Sequence, residues 1–216
     1  MVLADDEPDM RRALRAIVES AGRSVVVGEA ADGPGLVRAC RELAPDVALV
    51  DVQMPGAGGI AAIRELRAGA APPACAVLTT FDLDEHVSAA LSCGAAGFLL
   101  KDSDPGLLER APVDLAAGGA VLDPRITARL LPRFTAAAEP SEQTVVDALT
   151  ERQRQVLALL AAGASNPDIA QRLRLAEPTV KGYVSALLTR LDVENRVQAA
   201  VVAQRCGLGS SLGRTW

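Results

Sequence analysis

Short apolar runs alternate with helical stripes over residues 1–120. Val25-Val26-Val27, Val47-Ala48-Leu49-Val50, Ala76-Val77-Leu78 and Gly97-Phe98-Leu99-Leu100 are continuous and bounded by Gly, Pro or Asp. Runs of this kind are expected of strands buried on both faces of a parallel sheet. Between them Met10, Leu14, Ile17, Val18 and Ala21 recur at helical spacing. Leu36, Val37, Cys40 and Leu43 do the same, followed by Ile60, Ile63 and Leu66. With the short start counted, this predicts five βα units, a doubly wound α/β domain with a five-stranded parallel sheet over residues 1–120. Most prolines stand near element ends. Pro112 falls inside the last expected helix, where it removes a backbone hydrogen bond and is expected to kink or break it, and Gly106 weakens the first turn.

The pattern then changes. Asp123 followed by Pro124 reads as the cap and first position of a short helix to residue 133. Residues 134–147 show no clear period, so 121–147 is taken as a short helix and a linker. From 148 to 208 helical stripes follow one another with breaks at Gly163, Arg174–Ala176 and Asp192–Glu194, which predicts four helices and no strand. A Gly/Ser-rich tail, 209–216, is expected to be flexible.

Charge supports the division. Residues 1–149 carry 13 Arg/Lys against 22 Asp/Glu, a net of −9, and residues 150–216 carry 9 against 5, a net of +4. The second part suits a polyanion, the first a cation or phosphotransfer chemistry. No apolar run reaches the ~20 residues of a membrane helix, and no basic-then-apolar leader opens the sequence, so a soluble cytoplasmic protein without membrane association is expected. Cys40, Cys75, Cys93 and Cys206 form no CxxC pair, and His86 is the single histidine. Zinc and redox motifs are therefore not expected, and His86 reads as an exposed helix residue beside Glu85. Only Lys101 and Lys181 interrupt an otherwise all-arginine set of long cations. Each offers a compact point charge that arginine does not copy.

In a doubly wound sheet ligands bind at the carboxyl ends of the strands. Here the first strand ends at Asp5-Asp6, the third at Asp51, the fourth at Thr79-Thr80 and the fifth at Lys101. Carboxylates gathered in one cleft repel one another unless a cation sits among them, and a hard divalent ion such as Mg²⁺ is the natural partner. A carboxylate so placed can attack a phosphoryl group to give an acyl phosphate. An Asp at one strand end is often only a helix cap; all of these groups together are not explained that way. An aspartyl-phosphate hydrolase of the haloacid dehalogenase type would need a second Asp two residues after the first, where Gln53 stands.

These residues, with the run Asp51-Val-Gln-Met-Pro55, Gly59, Thr79 and Lys101 after Gly97-Phe98-Leu99-Leu100, resemble the receiver domain of two-component signalling. The resemblance implies a flavodoxin-like sheet of order 2-1-3-4-5 and assigns roles. Asp51 would accept the phosphoryl group. Asp6, Asp51 and the Gln53 carbonyl would bind Mg²⁺, with Asp5 assisting through water. Thr79 would switch towards the phosphoryl group, Lys101 would pair with one of its oxygens, and Phe98 would be the aromatic rotamer switch. The output surface would be the fourth strand, fourth helix and fifth strand.

In the second part Thr150 and Gln153 make a capping box, with Val156, Leu157, Leu159 and Leu160 inward. Ser165 can cap the next helix. After Arg174-Leu175-Ala176 comes a helix from 177 to 191 with the stripe Val180, Val184, Leu187, Leu188 and Leu191. A short helix, a tight turn and a second helix with a small, polar face suit the major groove, though an ordinary bundle has the same periodicity. Leu149-Thr150-Glu-Arg-Gln-Arg-Gln-Val-Leu, Ala164-Ser-Asn-Pro-Asp-Ile-Ala and Glu177-Pro-Thr-Val-Lys181-Gly-Tyr-Val resemble a LuxR-type domain. With the receiver, the chain resembles the NarL/FixJ response regulators. The resemblance implies a regulator rather than an enzyme, phosphorylated by a sensor histidine kinase and binding double-stranded promoter DNA as a homodimer. Thr179, Lys181, Gly182 and Ser185 would face bases or backbone, and Tyr183 and Arg190 phosphates. Val197, Ala200 and Val201 are candidates for a dimer seam or for core. The alternative is a regulator of the same fold controlled by a ligand or protein partner instead of phosphate. Four departures from the pattern stand out: the short first strand, Gln155 for the usual Glu, small residues at Ala176, Gly182 and Ala186, and the Pro112 and Gly106 already noted.

Overall fold

The computed structural model describes residues 1–80, 93–126 and 140–208. The chain divides into two compact units, one of residues 1–116 with 121–123 and the other of the remainder. His86, the fourth receiver helix and most of the short helix expected over 123–133 lie outside the described residues.

The first unit is a parallel sheet of β1 (Val2–Ala4), β2 (Gly28–Ala30), β3 (Val47–Asp51), β4 (Ala74–Thr79), β5 (Gly97–Leu100) and β6 (Val121–Leu122), in the order β2-β1-β3-β4-β5-β6. Six strands stand where five were expected. The added β6 is two residues long and pairs Val121 with Gly97 and Leu122 with Phe98, too short for any periodic signal. The strand expected at Val25–Val27 begins instead at Gly28, because its partner β1 begins at Val2, in register with Gly28. Val25 and Val27 are left largely exposed.

Helices α1 (Pro8–Glu19), α2 (Gly33–Leu43), α3 (Gly58–Arg67) and α4 (Pro105–Ala116) cover the sheet. Strand residues point alternately to its two faces. Leu3, Leu49, Leu78 and Leu99 pack with Leu14 and Val18 of α1 and with Leu108, Ala111 and Leu115 of α4. Val50 lies on the other face, where α3 packs so closely that a β-carbon at Gly59 would stand 2.9 Å from its Cγ1. The expectation that Pro112 would break the last helix is not met. Residues 105–116 form one continuous helix with Pro112 buried inside it. Burial of Leu108, Ala111 and Leu115 holds the backbone helical despite the missing N–H, since packing of an apolar face stabilises helices more than local propensity does. The first turn is secured by Asp104, whose Oδ1 accepts from the N–H groups of Gly106 at 2.9 Å and Leu107 at 3.3 Å.

The second unit contains α5 (Pro140–Asp147), α6 (Glu151–Ala161), α7 (Asn166–Leu173), α8 (Glu177–Arg190) and α9 (Arg196–Arg205). Five helices are described where four were expected, because part of the expected linker is helix α5. Its Val146 enters the core with Leu157, Leu160, Ile169, Val180, Leu187 and Val202. Arg205 of α9 pairs with Glu142 of α5 at 3.1 Å. Capping boxes at Thr150/Gln153 and Ser165/Asp168 start α6 and α7. Arg174, in the left-handed conformation at φ 53°, ends α7 and turns the chain into α8. None of the described helices is long and apolar enough to cross a membrane.

Candidate functional site

The parallel order brings the carboxyl ends of β1, β3, β4 and β5 side by side. Asp5 follows β1, Asp51 closes β3, Thr79 closes β4 and Lys101 follows β5. Asp5 and Asp51 are buried and Asp6 is exposed, yet one carboxylate oxygen from each lies within 4.8 Å of the others. The Lys101 ammonium bridges the two buried acids, 2.8 Å from Asp5 Oδ2 and 3.0 Å from Asp51 Oδ2. Glu7 stands further out, at 3.6 Å. The other oxygen of each acid accepts a backbone N–H two residues on, Glu7 N to Asp5 Oδ1 at 2.9 Å and Gln53 N to Asp51 Oδ1 at 3.1 Å. Arg11 donates to the Asp5 carbonyl from α1.

Burial pushes the Asp51 carboxyl above its ordinary range, against hydrogen bonds from Lys101 and the Gln53 N–H that pull it down; the nearby Asp5 adds to the rise. Burial draws the Lys101 ammonium down, but its bonds to Asp5 and Asp51 outweigh that, and the net shift is upward. Lys101 is thus held as a cation between two acids. The donor set is all hard oxygen, with one acid open to solvent, which fits a divalent ion of the magnesium kind.

Gly59 in the first turn of α3 lets the helix pass against the backbone of Asp51, where a β-carbon would lie 1.9 Å from the carbonyl oxygen. Thr79 is buried and its hydroxyl donates to the Thr80 carbonyl at 3.0 Å. Phe98 is buried in β5 opposite Val77. The sequence reads Asp123 as a helix cap and does not single out Ser103, and the structure pairs the two as buried polar residues at the Lys101 turn. They lie 20 residues apart, and nothing local in the sequence pairs them.

On the second unit, Thr179, Lys181, Gly182 and Ser185 share the exposed face of α8. Tyr183 is half-buried against the core. Lys181 pairs with Glu177, one turn back, at 3.7 Å. Arg190 is exposed but already engaged, donating to the Ala148 carbonyl at 2.7 Å and to Gln153 Oε1 at 3.3 Å. It fastens the end of α8 to the start of α6. Arg172 and Arg174, unflagged in the sequence, are exposed at the corner between α7 and α8. Of the seam candidates, Val197 is buried within the unit, and Ala200 and Val201 remain partly exposed. Arg196 is buried, donates to the Ala164 carbonyl, and is drawn down by burial to about 10, so it stays charged at neutral pH.

Residues 1–111 match the response regulator receiver domain, and residues 147–203 match the bacterial regulatory proteins of the luxR family. The DNA-binding transcriptional activator DevR/DosR of Mycobacterium tuberculosis is 40% identical over 204 residues, covering 93% of this chain and 92% of its own. The nitrate/nitrite response regulator NarL of Escherichia coli is 36% identical over 201 residues, with 93% of each chain covered. The structure of RcsB from Salmonella enterica serovar Typhimurium, bound to promoter rprA with the phosphomimetic BeF3-, superimposes with a TM-score of 0.54. That match has 27% identity and covers 97% of this chain and 98% of the other.

Proposed function

This chain belongs to the NarL/FixJ family of two-component response regulators, transcription regulators with a phosphorylated receiver and a LuxR-type DNA-binding domain, and we propose that Asp51 is its phosphoacceptor. The observation that supports this is the bridge of Lys101, at the end of β5, between Asp5 and Asp51 at the ends of β1 and β3. In the proposed step an Asp51 carboxylate oxygen forms a bond to phosphorus as the P–N bond of a kinase phosphohistidine breaks. The released imidazole nitrogen takes a proton. Lys101 is placed to pair with a phosphoryl oxygen, and Thr79 can turn its hydroxyl from the Thr80 carbonyl to another. Asp6, Asp51 and the Gln53 carbonyl would hold Mg²⁺, with Asp5 assisting. The ion would neutralise charge on the transferred oxygens.

The added charge at Asp51 would bias the receiver between two arrangements and so control dimeric binding of the second unit to promoter DNA. In support, one structural relative, RcsB, is bound to a promoter in the presence of a phosphomimetic. Thr179, Lys181, Gly182 and Ser185 would enter the major groove, with Arg172 and Arg174 at the turn nearest the phosphates. Residues 1–120 would act as receiver and 148–208 as DNA reader.

Two measurements test this. Incubation with a small phosphodonor and Mg²⁺ should give an acid-stable, base-labile adduct that Asp51→Asn lacks. No adduct on the parent protein removes the phosphorylation reading and leaves the DNA reading intact. Lys181→Ala should weaken binding to every DNA sequence alike and flatten the salt dependence by about one charge.

A further inference from the structure

The turn that carries Lys101 is tied to the end of β6 by a buried polar link. Ser103 closes the turn twice on Leu100: its N–H donates to the Leu100 carbonyl at 2.9 Å, and its hydroxyl oxygen accepts from the Leu100 N–H at 2.9 Å. The same hydroxyl donates to Asp123 Oδ2 at 2.6 Å. Ser103 and Asp123 are 4% and 2% exposed, so water does not compete for this bond. Asp123 is itself fixed, its N–H donating to the Phe98 carbonyl at 2.8 Å. Lys101 lies between the two ends of the Leu100–Ser103 turn, and its own N–H donates to the Thr79 carbonyl at 2.9 Å.

A lysine side chain is a flexible stem with four rotatable bonds, so its ammonium can meet two fixed acids together only when its backbone is held within reach of both. We propose that Ser103 and Asp123 are positioning residues for Lys101, fixing the turn so that the ammonium meets Asp5 and Asp51 together. This rests on the reading of Asp51 as phosphoacceptor for its effect on rate, but the geometric claim stands without it. A hydrogen bond to a buried carboxylate is short and strong, and truncating either partner removes this link between the turn and the end of β6. The turn then loses its anchor while β5 keeps its pairing with β4.

The chain has two lysines, Lys101 and Lys181, so lysine labelled at Cε and Nζ gives two side-chain signals, with Lys181 as internal control. On the full-length protein, Ser103→Ala and Asp123→Ala should each move the Lys101 signal and leave Lys181 in place. Each should slow phosphorylation by acetyl phosphate with Mg²⁺ about tenfold, since small misplacements of a charge-stabilising group act on rate. Asp123→Asn keeps an acceptor oxygen and should restore both readouts, and the double alanine variant should be no slower than either single one. Should Asp123→Ala fail to fold, Ser103→Ala against Ser103→Thr carries the same comparison, because threonine keeps the hydroxyl. The proposal is overturned if the Lys101 signal is unmoved in the folded alanine variants, or if Asp123→Asn and Ser103→Thr are as impaired as alanine. A parent protein that takes no phosphoryl group overturns the Asp51 reading, while the Lys101 signal still decides the positioning claim.

Discussion

A β-carbon at Gly59 would stand 1.9 Å from the backbone oxygen of Asp51. No rotamer change relieves such an overlap, because both partners are backbone. Gly59→Ala must therefore push α3 away from the end of β3, and the Asp51 carboxylate moves with it. The expected result is a loss of about 1–3 kcal/mol in urea unfolding of the first unit, the usual range for overpacking. A greatly slowed phosphorylation should accompany it. An alanine variant as stable and as quickly modified as the parent would contradict the geometry.

The acidic site was legible in the sequence because its chemistry depends on residue type at strand ends. Asp51 and Lys101 each follow an apolar run, and a parallel order makes neighbouring ends converge. Other parts were not legible, for physical reasons. β6 is two residues long and owes its existence to pairing with Gly97 and Phe98. Helix α5 commits one side chain, Val146, to the core and is fastened by the Glu142–Arg205 pair across 63 positions. The Ser103–Asp123 bond joins two residues that each read locally as turn or cap chemistry. In α4, tertiary burial overrides the local preference of Pro112, which no local rule weighs.

Val146 gives the direct test of α5. It is 1% exposed in the core of the second unit. Val146→Ala removes two methyl groups and should destabilise that unit by about 2 kcal/mol, at roughly 0.8 kcal/mol per buried methylene plus a cavity term. If 140–147 were a mere linker, the unfolding midpoint in urea would not move.

The cysteines predict an alkaline limit. Burial pushes the Cys40 thiol up to about 11 and the Cys75 thiol up to about 12. An acid whose folded value lies above its unfolded one, near 8.5, contributes stability that is complete below that pH and is lost as pH rises towards the folded value. Stability of the first unit should fall from about pH 9 upward, by as much as ~1.4 kcal/mol per pH unit for each thiol. Replacing Cys75 by alanine or valine should flatten the slope. At pH 8 a thiol reagent should reach Cys206, which is partly exposed, before the buried Cys40, Cys75 and Cys93.

The Ser165–Asp168 capping box predicts the opposite sign at acid pH. Hydrogen bonds from the Ser165 hydroxyl and then its N–H hold the Asp168 carboxyl below its usual value. Such a group contributes stability above its unfolded value, near 4, and the contribution is lost as pH falls through the lower folded value. The second unit should therefore weaken below about pH 4, and Asp168→Asn should show less of this loss. Ser165→Ala should cost about 1 kcal/mol at neutral pH, the usual worth of an N-cap, measured by thermal or urea unfolding.

Gly182 lies within α8, and among the described residues nothing beyond its own stretch of helix lies within 4 Å of the position its β-carbon would take. The fold gains nothing from glycine there, and glycine in a helix interior costs about 1 kcal/mol relative to alanine. Gly182→Ala should raise the stability of the second unit by about that amount. The same methyl group projects from the face that carries Lys181 and Ser185, so if that face enters a DNA groove it occupies space the nucleic acid would otherwise fill. Binding to the target site should weaken while binding to unrelated DNA, set by charge, stays as it was. The two readouts then move in opposite directions, which a purely structural role for Gly182 would not produce. A stabilised variant with unchanged discrimination between target and unrelated DNA would remove position 182 from the reading surface, leaving Thr179, Lys181 and Ser185 to carry it.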